Sequence, residues 1–318
     1  VTADDSGWFE RLGAVAMGMG AAFVENWCWK DMNGVVFPWG VIGRDGRGKP
    51  TLDALSRVEA MGREIKPGGF QPSVYLLIPD SNRQGGDSAP ILNALHNSVA
   101  MLLGSHVPFG VLDEDSLERL PRDARTLIWP IPFCPTDATF ERVLAFVKRG
   151  GSLYVSGDVS YDPLRLRDRL DRLKQLCGVS FVRENYPNIQ MGTPKPGAVL
   201  SSPCIDVQLA GAARGEFPGI GTAYLNRLGK GRVFYTPDPV ELHSTDSRVY
   251  RAFLHWAGVP AIAVQPDDPA VQVFPVRLVS GKEGLILVNG GGKAENVTLP
   301  GHHSAILLGA GRAALVPR

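Results

Sequence analysis

The chain has 318 residues, with 33 Lys and Arg against 32 Asp and Glu and 44% hydrophobic residues. That length predicts about two domains or one large one, and charges that nearly cancel leave no basic field for a nucleic-acid backbone or an anionic membrane surface. Gly 37 and Pro 25 recur without a period, which excludes collagen and points to many turns.

Residues 6–22 predict a helix, because Phe9, Leu12, Val15, Ala16 and Met19 recur at three- and four-residue steps behind Asp4, Asp5 or Ser6 as N-cap. A β-prone run follows at residues 23–29, then a Gly- and Pro-punctuated loop to Lys49. After Pro50, the stripe Leu52, Leu55, Val58, Met61, Ile65 predicts a second helix that ends at Pro67-Gly68-Gly69. Such an αβα unit covers one side of one strand and cannot close its own core.

From Pro72 the rhythm becomes strand, helix, strand, helix. Val74-Tyr75-Leu76-Leu77-Ile78 is a continuous apolar run suited to a strand covered on both faces. A helix is expected over 90–103, strands at 109–112 and 126–130, and a helix over 137–148 with Phe140, Val143, Leu144 and Val147 on one face. Gly150-Gly151 stops that helix and Leu153-Tyr154-Val155 resumes the sheet. A further helix is expected over 165–177, irregular excursions over 185–221, a strand at 231–235 and a closing helix over 246–256. The alternation predicts an α/β fold with an open, mostly parallel sheet and helices on both faces. Beyond residue 261, β-prone pieces at 271–279, 284–289, 296–299, 305–308 and 313–316 predict a small β-sandwich. Three segments result: 1–67, 68–260 and 261–318.

The first candidate site is Glu25-Asn26-Trp27-Cys28-Trp29-Lys30-Asp31, at the expected carboxyl end of a strand. In a (β/α)8 barrel that end faces the active site. Pyranose C–H faces stack on aromatic rings, while Glu25, Asn26 and Lys30 can hydrogen-bond hydroxyls, so a sugar subsite with Trp27 and Trp29 is chemically sound; packing of the two rings into a core is the plain alternative. Asn26-Trp27-Cys28-Trp29, Val36-Phe37-Pro38-Trp39-Gly40-Val41, Arg44-Asp45-Gly46 and Lys49-Pro50 together resemble the last βα unit of clan A glycoside hydrolases, most closely the family 42 β-galactosidases.

That resemblance implies residues 1–67 as the end of a barrel, a doubly wound flavodoxin-like or class I glutamine amidotransferase-like trimerisation domain over 68–260, and a C-terminal β domain. It implies a retaining β-galactosidase-like hydrolase acting on β-glycosides, a carbohydrate substrate, a homo-oligomer (a trimer) and no cofactor. Retaining enzymes need two carboxylates about 5–5.5 Å apart, and in the family both lie on barrel strands that would precede Val1. The expectation is therefore a C-terminal portion without its catalytic carboxylates, the rest of the barrel lying on a separate or cleaved chain. Glu25 acts as nucleophile only in a different register. The alternative is a non-catalytic oligomerisation or binding module.

Class I glutaminases place a Cys on a strand-to-helix elbow beside a His base. The matching elbow, Tyr154-Val155-Ser156-Gly157-Asp158-Val159-Ser160, carries Asp158 there, so amide hydrolysis is not expected; Cys134 reads as a small loop residue and His243 as structural. Cys28, Cys134, Cys177 and Cys204 show no metal-ligand spacing, and no metal is expected. His302-His303 lacks partner ligands, and Gly219-Ile220-Gly221 and Gly229-Lys230-Gly231 lack the context of a dinucleotide fingerprint. No apolar run reaches the ~20 residues of a membrane span. Residues 1–20 lack the basic start of a signal peptide, which leans toward the cytoplasm without assigning a compartment. The start at Val1 without Met leads to the expectation of further residues upstream.

Overall fold

A computed structural model describes residues 3–25, 28–34, 38–68, 70–79, 88–185, 199–302 and 304–318. Two compact units emerge: residues 1–71, 106–108 and 261–318 form one, and residues 72–105 and 109–260 form the other.

The first unit joins both ends of the chain. α1 (Ala3–Gly18) packs along α2 (Pro50–Glu64), with Gly13 facing Val58 where a Cβ would overlap the valine methyls. Lys49 is the extended N-cap of α2 and Pro50 its first residue, where the missing N–H costs nothing. Beyond residue 261 lie β10 (Val271–Arg277), β11 (Glu283–Asn289), β12 (Glu295–Val297), β13 (Ile306–Leu308) and β14 (Ala313–Pro317). They form an antiparallel sheet in the order β10-β11-β14 and an antiparallel pair β12-β13. Val271, Val273, Leu285, Leu287, Val297, Leu299, Leu308 and Val316 bury themselves between these strands, as their period-two spacing requires. α1 then closes onto the β region. Buried Glu10 accepts from Arg57 Nε on α2 at 2.7 Å and from Ala313 N on β14 at 3.0 Å, and pairs with Arg312 Nη1 at 3.0 Å.

The second unit is mixed α/β around a central sheet in the order β2-β1-β3-β4-β9-β8-β7. β1 (Val74–Ile78), β2 (Phe109–Asp113), β3 (Thr126–Trp129), β4 (Ser152–Ser156) and β9 (Gly231–Thr236) are parallel neighbours; β8 (Gly221–Leu228) and β7 (Ala213–Phe217) extend the edge antiparallel. One face of the sheet, Leu77, Leu127, Trp129, Leu153, Val155, Val233 and Tyr235, shares a core with Phe140, Val143, Leu144 and Val147 of α4 (Asp137–Lys148). The intervening residues point the other way: Tyr154 and Phe234 stack on each other and meet Phe253 of α5 (Arg248–Trp256) at tilted and edge-on angles, and Tyr154 also meets Tyr250 edge-on. α3 (Ser88–Leu103) joins that face, where Tyr250 OH lies 3.1 Å from Ser98 Oγ. α4 begins at Thr136, whose hydroxyl accepts from Thr139 N at 3.0 Å, a capping bond of about 1 kcal/mol.

Several expectations fail locally. The run at residues 23–29 is no strand over its described residues, and Phe23 is 79% exposed. A β-prone run becomes a strand only where a neighbour supplies its ladder. The helix expected over 165–177 shrinks to one π-type turn, Leu173–Cys177. Upstream, Asp162 Oδ1 accepts from Leu166 N, Arg169 N donates to Ser160 O and Arg165 sits at φ +63, so one side-chain bond and one backbone bond hold a non-helical path. The segment expected to be irregular contains β6 (Ile205–Leu209), paired antiparallel with β5 (Val179–Glu184), and the edge strand β7. Residues 186–198 lie outside the described residues.

Candidate functional site

In the first unit the segment after residue 28 is pinned by its own backbone. Val41 N donates to Cys28 O at 3.2 Å, Ile42 N to Trp29 O at 2.9 Å and Asp31 N to Ile42 O at 3.0 Å; Lys49 N closes the far side on Val41 O at 2.9 Å. Buried Asp31 fastens the rest. Its Oδ1 accepts from Gly40 N at 2.7 Å and Lys49 Nζ at 2.9 Å, and Lys49 Nζ also donates to Pro38 O at 2.8 Å. The hydrogen bond from Lys49 holds the Asp31 carboxyl below its usual range. Position 40 must be glycine because a Cβ there would overlap Asp31 N and Lys30 C. Trp29 and Trp39, both exposed, are thus carried on a loop that cannot swing freely.

In the second unit, polar groups collect at the carboxyl ends of the parallel strands, the edge where open α/β sheets bind ligands. Gly157 follows β4 at φ +76, and Asp158 beside it is buried, held by Arg167 Nη2 at 3.1 Å and by Ser160 N at 2.9 Å. Burial raises the Asp158 carboxyl despite these donors. His243 Nε2 lies 2.9 Å from Asp238 Oδ1, whose Oδ2 accepts from Ser201 N and Ser202 N at 2.6 Å each. Cys177 and Cys204 are buried and burial pushes their thiols up, so neither is a ready nucleophile.

Glu241, fully buried, completes this edge. Ser156 Oγ donates to Glu241 Oε2 at 2.7 Å while accepting from Ile131 N at 3.2 Å. Tyr250 OH lies 3.0 Å from Glu241 Oε1 and 3.1 Å from Ser98 Oγ, and Ser98 donates to Ala94 O at 2.9 Å. Glu241 thus accepts from two hydroxyls, Ser156 on Oε2 and Tyr250 on Oε1, and Ser98 hands its own proton on to Ala94 O. Burial raises the Glu241 carboxyl despite these donors.

No protein-family model matches the chain, and no curated protein matches its sequence. Solved structures do match. A GH42 β-galactosidase from G. stearothermophilus superposes at a TM-score of 0.70 and 15% identity over 97% of this chain and 50% of that one. The chain shares the fold of GH42 β-galactosidases over about half their length. The β-galactosidase from Bacillus circulans sp. alkalophilus gives 0.68 at 13% identity, covering 98% of this chain and 52% of that one. That from Rahnella sp. R3 gives 0.66 at 15%, covering 91% and 48%.

On this GH42-like fold, Trp29 and Lys30 sit side by side on the pinned loop and are exposed, as is Glu25 on the segment before it. Asn26 and Trp27 lie outside the described residues. Trp39, Gly40, Asp31 and Lys49 escaped the sequence reading as a working set; the signal was present in Trp39-Gly40-Val41, where a glycine stands between two large residues and leaves room for the facing backbone. Cys134 is buried, and His243 is turned to Asp238. Among the described residues no group of three or more His, Cys, Asp or Glu is placed to hold a metal ion.

Proposed function

We propose that this chain is part of a retaining glycoside hydrolase that cleaves β-galactosides or related β-glycosides, with Trp29 as the platform on which the sugar ring stacks. The observation that carries the reading is Trp29 itself, 65% exposed on a loop tied down through Asp31, Lys49 and Gly40. A rigid, solvent-facing indole is what a pyranose C–H face needs. Glu25, Asn26, Trp27 and Lys30 line or support the subsite. The chemistry is a double displacement: one carboxyl protonates the glycosidic oxygen, a carboxylate attacks the anomeric carbon, and water hydrolyses the glycosyl intermediate. Both carboxyls come from an N-terminal barrel portion on residues beyond this chain or on a separate or cleaved chain. A chain that spans half the length of its structural neighbours, and the exposed apolar Trp8, Leu12, Phe23 and Met32, support that arrangement.

On the same reading, residues 1–67 are the barrel remnant, 68–260 a doubly wound amidotransferase-like domain that trimerises the protein, and 261–318 a small sandwich. The strand order of the parallel set, 2-1-3-4-5 in chain order, is that of the flavodoxin-like doubly wound class.

Native mass spectrometry of the purified protein, paired with hydrolysis of a chromogenic β-galactoside, tests the proposal. Expected is an additional barrel polypeptide and a rate that Trp29→Ala lowers through KM. A lone 318-residue chain with no hydrolysis would sink it. The second reading, a module that only associates, is favoured by Asp158, a salt-bridged carboxyl where a glutaminase would hold its nucleophile. It predicts no galactose-dependent change in tryptophan fluorescence.

A further inference from the structure

At the amino ends of β3 and β4, opposite the edge that holds Glu241 and Asp238, a cleft of about 610 Å3 opens between α4 and the 3-10 turn Asp115–Arg119 with the residues after it. α4 presents Arg142, Ala145, Phe146 and Arg149 to it, positions three, four and seven apart that share one helix face. The facing wall brings Leu117 and Leu120 together with Arg122 and Arg125. Four arginines therefore line the cleft against one carboxylate, Glu118, which lies 3.7 Å from Arg142. In a chain of 33 cationic and 32 anionic residues this is a local excess, not a reflection of overall charge.

Internal bonding accounts for little of it. Arg149 caps the carboxyl end of α4, where a cation complements the helix dipole. Arg125 Nη1 donates to Arg122 O at 2.9 Å, which uses part of one guanidinium. Arg122, Arg125 and Arg149 have no carboxylate partner within 4 Å among the described residues. Beneath them Leu117, Ala124 and Phe146 are buried and form an apolar floor. Guanidinium forks pair bidentately with phosphoryl oxygens, and the volume falls within the ~300–1,000 Å3 of small-molecule sites. We propose that this cleft binds a small organic phosphate, its phosphoryl oxygens on the four arginines and its less polar body over Phe146 and Leu117.

Calorimetric titration of the full chain with ADP and with inorganic pyrophosphate at low salt tests the site. ADP binds more tightly than pyrophosphate, and Arg122→Ala/Arg149→Ala weakens both by about tenfold or more. Arg214→Ala, on the exposed strand β7, leaves both unchanged. The four arginines are exposed, and circular dichroism verifies that the variants fold. No heat from either probe at about 5 mM, unchanged binding in the double variant, or pyrophosphate binding as tightly as ADP would each overturn the proposal.

Discussion

Replacing Glu241 distinguishes a carboxyl that is neutral from one that is charged. Glu241→Ala removes the acceptor of the Ser156 hydroxyl, whose oxygen already serves Ile131 N, so a buried donor is orphaned. That costs about 1–3 kcal/mol, and the space left, roughly 50 Å3, adds about 1 kcal/mol. A loss of about 2–4 kcal/mol corresponds to a fall in Tm on the order of 10 °C. Glu241→Gln should be milder. The amide oxygen accepts from Ser156, and the amide nitrogen faces the Tyr250 hydroxyl oxygen, which can accept from it, leaving one N–H to place at about 1 kcal/mol. The sign of the pH dependence follows from the raised carboxyl. Below its ordinary value of 4.5 both folded and unfolded states hold the proton and stability is full. As pH rises through the raised folded value, the native state must lose a proton that the unfolded state has already released, and stability falls. The amide of the Glu241→Gln variant does not titrate. Differential scanning calorimetry across about pH 5 to 8 should therefore show the Tm of Glu241→Gln gaining on wild type as pH rises. A constant difference, or a Glu241→Gln variant as damaged as Glu241→Ala, would refute a carboxyl raised by burial.

Asp31→Asn should speed hydrogen exchange at the Gly40 and Ile42 amides without unfolding the second unit; equal exchange would remove Asp31 as the anchor. Because Lys49 lowers the Asp31 carboxyl, the protection in wild type is complete above 3.8 and fades as pH falls through the folded value. Gly231→Ala should cost upwards of about 2 kcal/mol in denaturant melts, since a Cβ there overlaps Val147 O and Gly151 O where β9 meets the end of α4; a variant of wild-type stability would contradict that close approach. Trp29→Ala should abolish any galactose-induced fluorescence change, whereas Trp256→Phe, half-buried against Phe234, should preserve it.

The pattern of Phe140, Val143, Leu144 and Val147 was readable because a helix writes its buried face into a fixed spacing, and the continuous run at Val74–Ile78 was readable because a parallel strand is covered on both sides. β7, with the sequence ARGEF, was not. It is a polar edge strand whose ladder comes from β8, so nothing in its own residues distinguishes it from a loop. The pinned loop was half legible. Its aromatic residues and Glu25 stood out by chemistry, but the link from Asp31 to Lys49 spans 18 positions, and that from Ser156 to Glu241 spans 85. Such pairs exist only after the chain has folded, and residue types alone do not reveal them. The exposed Phe23 shows the opposite failure, a β-prone residue lacking a ladder.

The carboxylate of Glu10 carries a practical consequence for dissecting the protein. Arg57 reaches it from a helix near the start of the chain, whereas Ala313 N, opening the last strand, and Arg312, just before it, reach it from the other end. An expression boundary drawn at residue 260, where the composition turns from α/β to β, would strip two of those three partners and expose the flank of α1 that Gly18 presses against Phe274. Either terminal piece made alone would carry a sticky, charge-bearing wound, and the two should be produced together or complement each other when mixed.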